Sequence, residues 1–151
     1  MALFKIWSKI FGKEVNGMIT LEKAKKALEA SEKKAQELGV KISTVVVDEH
    51  GSIVATSKLD GAIPISPRFA YAKAFTSANL GMPSEGLEAY AAEGKPYFGV
   101  NTIFGGELTP IAGGLPVNIH GRIAGAVGVG GSMDTHQDAM CAQEAAKVLE
   151  S

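Results

Sequence analysis

The sequence predicts an α/β (α+β) fold, with a single antiparallel sheet built from two hairpins and flanked by helices. Three observations point there. Two pairs of β-forming runs are each joined by a turn ending in His-Gly, and helix-periodic segments precede, separate and follow them. The resulting order, helix, hairpin, helices, hairpin, helix, lacks the βαβ alternation of a parallel sheet. Length and composition agree: 151 residues, 46% hydrophobic and 21% charged, suffice to bury a core without a metal or disulfide staple.

The elements follow in chain order. Leu3, Ile6, Trp7, Ile10 and Phe11 recur at helical spacing with Lys5, Lys9 and Lys13 between them, which predicts a short amphipathic helix ended by Gly12. Residues 1–17 therefore read as an extension and linker, and 18–151 as the domain. The lysines interrupt the apolar run that a secretory signal needs. Three settings suit such a helix: its own domain or a neighbouring subunit, a groove on a partner protein, or a membrane interface. The first thirteen residues hold three lysines and no acid, so the net charge of −1 for the whole chain leaves the remainder at −4.

Thr20 is suited to cap a helix over 20–38 that Gly39 ends. Ile42 and residues 44–47 pair with 53–55 across Asp48-Glu49-His50-Gly51, where glycine supplies the positive φ. Asp60-Gly61 marks a turn, and Pro64 and Pro67 delay the next helix to about Arg68. Phe69, Ala70, Ala72, Lys73, Ala74 and Ala78 make it a small-residue helix, able to pack closely on a sheet. A short helix over 84–92 leads into a long ordered loop, 94–110, of the kind that often carries function. Residues 115–119 and 122–129 form the second hairpin around His120-Gly121. Thr135-His136-Gln137-Asp138 has capping-box form and opens a last helix built on Ala139, Ala142, Ala146 and Leu149.

The charge balance supplies no basic field for phosphates, so nucleic acid is not an expected partner. A single cysteine, Cys141, fits a reducing cytosol and reads as a buried small hydrophobe. No apolar run is long enough to form a transmembrane segment. The glycines of GRIAGAVGVGG, residues 121–131, fit either close packing or a local anion site; the dinucleotide fingerprint fails because its third position is Met133. His50 and His120 read either as solvated turn residues or as axial ligands to a planar cofactor on the sheet edge. Lys73 lies in an apolar helical segment and either snorkels to solvent or reaches a carboxylate or propionate. Capping accounts for Asp138, and no metal site is expected at Asp134, His136 and Asp138.

The runs VVVDEHGSIVA, the LDGA turn at 59–62, Ala70-x-x-Lys73-Ala74-x-Thr76-Ser77, GGLPV at 113–117 and GRIAGAVGVGG followed by Gln137-Asp138 together resemble the GlcG/HbpS, or haem-degrading, family. That family includes the C-terminal domain of PduO-type corrinoid adenosyltransferases. The resemblance spans about 18–150; the family commonly has Ser at the position of Gly130 and often begins near Met18. It implies a compact oligomeric α/β domain that binds haem or a related corrinoid tetrapyrrole in some members, without the adenosyltransferase's separate catalytic unit. The extension is similar in pattern to the encapsulation peptides that carry cargo into bacterial microcompartments.

These readings combine into a tetrapyrrole-binding accessory protein with no assigned catalytic residue. It is expected to be a cytoplasmic homo-oligomer, with residues 1–13 a candidate contact to a microcompartment shell protein. The candidate cofactor-binding residues are His50 and His120 for the axial position, Lys73 for a propionate, and Asp60, Gly113 and Gly114. Two alternatives stay open. One is an enzyme for a small carboxylate or aldehyde, with Gly113, Gly114 and residues 128–131 holding the anion and Asp60 or Lys73 moving protons. The other is a scaffolding protein without a site.

Overall fold

The computed structural model describes Met1, Leu3, Lys5, Ile6 and residues 17–151; the expected amphipathic helix, with Trp7, Ile10 and Phe11, lies largely outside the described residues. Helix α1 (Leu21–Leu38) starts where the Thr20 hydroxyl accepts the Lys23 N–H and ends at Gly39 in the left-handed region. Strands β1 (Ser43–Asp48) and β2 (Ile53–Lys58) form the first hairpin. One Asp48 carboxylate oxygen accepts the N–H groups of both His50 and Ser52, which explains an acid at the start of this turn. Helix α2 (Ser66–Leu80) begins two residues earlier than expected. Pro67 lies within its first turn, where a missing N–H costs nothing, so the proline starts the helix instead of delaying it.

After α2, a 3₁₀ turn (Ser84–Leu87) runs into one helical turn, α3 (Glu88–Ala91), and the long loop contains two further 3₁₀ turns. Strands β3 (Gly114–Ile119) and β4 (Arg122–Gly130) make the second hairpin, and α4 (Thr135–Glu150) closes the chain. Asp134, not Thr135, caps α4: its carboxylate accepts the His136 N–H.

The two hairpins join through β1 and β4 into one antiparallel sheet of order β2-β1-β4-β3. Strand alternation then sorts the side chains. Val46, Val127 and Val129 face α1 and α4, where Leu28, Ala35, Ala142 and Leu149 complete the larger core. Val45, Val47 and Ala126 face Ala70, Ala74 and Ala78 of α2. Gly128 makes that second contact close, since a Cβ there would lie 2.0 Å from the Ala70 carbonyl oxygen. Pro116 sits in β3, an outer strand, where its missing N–H leaves the ladder to β4 intact.

The second hairpin turns through His120 at φ 52° and Gly121 at φ 75°. A two-residue turn of this type needs positive φ at both positions, and a histidine tolerates it less well than asparagine. His120→Asn is therefore expected to stabilise the fold by about 0.5–1 kcal/mol, raising Tm by about 2 °C in a thermal melt.

Candidate functional site

The sheet has two chemically different ends. Asp48 pairs with Gly125, and Ile119 with Arg122, so the turns carrying His50 and His120 lie at the same end. Both imidazoles are on exposed turn residues. The C-terminal half of α2 runs along this end: Gly51 packs against Phe75 and Asn79, and Gly81 against Ile123. Ser43 pairs with Gly130 at the other end, where Lys73, Gly113, Gly114 and the Asp60-Gly61 turn are found. The structure thus separates the histidines from Lys73, and groups Lys73 with the two glycines.

Lys73 does not snorkel. Its side chain is 2% exposed, and its ammonium donates to Asp138 Oδ2 and to the Val129 carbonyl, both at 2.8 Å. Asp138, also 2% exposed, accepts the Ser132 N–H on its other oxygen. The carboxylate is therefore the anionic partner of Lys73 and no helix cap, which corrects the expectation for that residue. Burial pushes the Asp138 carboxyl above its ordinary range, against the opposing pull of Lys73 and the Ser132 N–H. Glycine at 113 makes room for the pair: a Cβ there would lie 3.0 Å from Lys73 Nζ. Glycine at 114 lets β3 meet α2, since a Cβ would fall 2.3 Å from the Lys73 carbonyl oxygen.

Over this pair lies a cavity of ≈190 Å³ walled by Ile63, Phe69, Ile111 and Met133, with Thr135 beside it. It adjoins a wider hollow that includes Gly61, next to Asp60. Ser66 braces this corner through its bonds to the Ser43 hydroxyl and the Ile63 carbonyl. Asp134, His136 and Asp138 do not converge: among the described residues, no three metal-ligating side chains cluster.

Sequence reasoning missed the second cavity. Along α2 and the long loop, Leu80, Met82, Leu87, Tyr90, Tyr97 and Phe104 enclose ≈370 Å³ with Val100 and Leu108. The loop is pinned to α2 where Thr76 Oγ1 accepts the Thr109 N–H, and to β3 where Ser84 Oγ accepts the Gly114 N–H and donates to the Ile111 carbonyl. Phe104 holds φ 53°, a left-handed conformation costly for an aromatic residue, while presenting its ring to this pocket. The legible signal is the run of three aromatics at 97, 98 and 104 in a loop without core periodicity, with Tyr90 on the short helix just before it.

Cys141 lies under the sheet, fully buried, and burial with the nearby Asp138 charge pushes its thiol up to about 11. It should resist iodoacetamide at neutral pH in the folded protein and react once urea unfolds it, which a mass measurement would show.

Comparison with known proteins places this geometry among relatives. A family model described as haem degrading protein HbpS-like matches residues 19–147. Protein GlcG of Escherichia coli strain K12 is 33% identical over 112 residues, covering 74% of this chain and 81% of that protein. The crystal structure of Klebsiella pneumoniae protein ORFY superposes with a TM-score of 0.85 at 29% identity, covering 91% of this chain and 93% of that one. A crystal structure described as a PduOC:heme complex has the same fold, with a TM-score of 0.82 at 22% identity over 89% of this chain and 99% of its own.

Proposed function

The chain belongs to the family of HbpS-like haem-degrading proteins, and from that premise we propose that it is an accessory protein that binds haem or a related corrinoid tetrapyrrole. The observation that carries the reading is the apolar pocket beside the C-terminal half of α2. A macrocycle has two apolar faces, and this wall of leucine, methionine, valine and aromatic side chains suits one of them. At ≈370 Å³ the pocket would grip the macrocycle along one edge, leaving the rest to solvent or to a second copy of the chain.

The donors around the pocket fit the group. Tyr90 and Tyr97 bring phenol oxygens and Met82 a thioether, each a known type of haem ligand. His50 and His120, on the turns at the same end of the sheet, would be further candidates to ligate the iron. Lys95, exposed in the tight turn where Phe98 N–H reaches its carbonyl, offers a cation for a propionate. Bound haem would supply an iron centre; this chain's own residues supply the apolar seat, the ligand and the charge. The structural relative described as a PduOC:heme complex supports the same reading.

Titrating the full chain with haemin tests it. A saturating Soret shift is expected, lost when Val100→Trp fills the pocket, and changed in position by Tyr90→Phe with Tyr97→Phe or by His50→Ala with His120→Ala. No shift, or one untouched by every variant, would end the proposal. Cobalamin added as competitor separates the haem from the corrinoid reading.

The extension completes the proposal: residues 1–13 would deliver the domain to a microcompartment shell protein, as the alternation of apolar residues and lysines suits a groove. Removing residues 1–17 should leave haemin binding intact and abolish co-localisation with the shell. A truncated chain that fails to fold would show instead that the extension belongs to the core.

A further inference from the structure

We infer that the cavity over Lys73 and Asp138 is a binding site for a small neutral carbonyl compound, separate from the tetrapyrrole pocket and independent of it. An ammonium has three N–H donors. Lys73 uses two, on Asp138 Oδ2 and the Val129 carbonyl, and makes no third bond within the described residues. A buried donor without an acceptor is costly, and the cavity is the space that Lys73 lines.

Charge selects the ligand. Among the described residues that line the cavity, Lys73 and Asp138 are the only charged ones, and together they are neutral. A carboxylate entering there would place a second negative charge beside Asp138, and an ammonium a second positive charge beside Lys73; each leaves one buried charge uncompensated. A neutral ligand avoids both. Carbonyl oxygen has two lone pairs: the third N–H of Lys73 would donate to one, and the exposed Thr135 hydroxyl at the cavity mouth can donate to the other. Ile63, Phe69 and Ile111 then face the hydrocarbon part. The volume, ≈190 Å³, lies below the roughly 300 Å³ at which sites for drug-sized ligands begin, so the ligand has only a few heavy atoms.

The test is a set of amide-shift titrations of the full ¹⁵N-labelled chain with 2-butanone, butyrate and butylammonium, three probes of similar size and different charge. Saturable shifts at Gly131, Ser132 and Gly113 are expected with 2-butanone, and at least tenfold weaker binding of both charged probes. Ile111→Trp fills the cavity from its wall and should abolish the shifts; if that variant unfolds, Ile63→Trp serves the same purpose. Butyrate saturating at the lower concentration would make the cavity an anion site and overturn the inference. Absence of saturable shifts with 2-butanone at these amides would overturn it too, whatever haemin does at the other end of the sheet.

Discussion

Asp138→Ala is expected to cost about 3–5 kcal/mol, because it leaves the Lys73 ammonium buried without its counter-charge. The Ser132 N–H loses its acceptor in the same step. In a thermal melt this should lower Tm by about 10 °C. The double replacement Lys73→Met with Asp138→Leu should recover most of the loss, since well-packed apolar residues of similar volume replace a buried pair at little net cost. If the double variant proves no better than Asp138→Ala alone, the two residues act through packing and not as an ion pair. Urea denaturation of the wild type, both single variants and the double variant measures the coupling directly.

Gly128→Ala is the second large effect. A Cβ at that position would stand 2.0 Å from the Ala70 carbonyl oxygen and 2.5 Å from the Ala74 nitrogen, and both are backbone atoms of α2 that cannot rotate away. The helix would have to lift from the sheet along the contact that also positions Lys73. A loss of about 3 kcal/mol or more is expected, at or beyond the upper end of overpacking costs. Ala at Gly121 provides the contrast: nothing lies within 4 Å of its Cβ, so only the strain of φ 75° is felt. Circular dichroism melts of both variants should therefore separate a clash from a turn penalty.

Local chemistry made much of this fold legible. Thr20 and Gly39 bracket α1, and the two His-Gly turns locate both hairpins, because capping and tight turns depend on neighbouring residues alone. The start of α2 lies two residues before its expected place because proline breaks a helix interior but opens a first turn, and the sequence does not say which applies. The Lys73–Asp138 pair was out of reach for a different reason. Its partners are 65 residues apart, and a local capping pattern already offered an explanation for Asp138. One signal did exist: Asp138 shares the apolar stripe of Cys141, Ala142 and Ala145, and an acid on a buried stripe implies a buried base. The apolar pocket left no periodic trace, since its walls come from a helix end and an irregular loop.

Pro116 has a consequence for how the molecule can associate. An outer strand normally offers a row of unpaired backbone groups that can template another chain, and a proline removes one of the donors from that row. Strand β3 is therefore a poor surface for continuing the sheet from one copy to the next. At the opposite edge, β2 carries a register shift opposite Val46 and Val47 and ends in Lys58, and both features discourage the same kind of growth. Copies of this chain that assemble would meet through helices and loops, with each sheet remaining four strands wide. Open-ended fibre growth is thereby disfavoured at both margins.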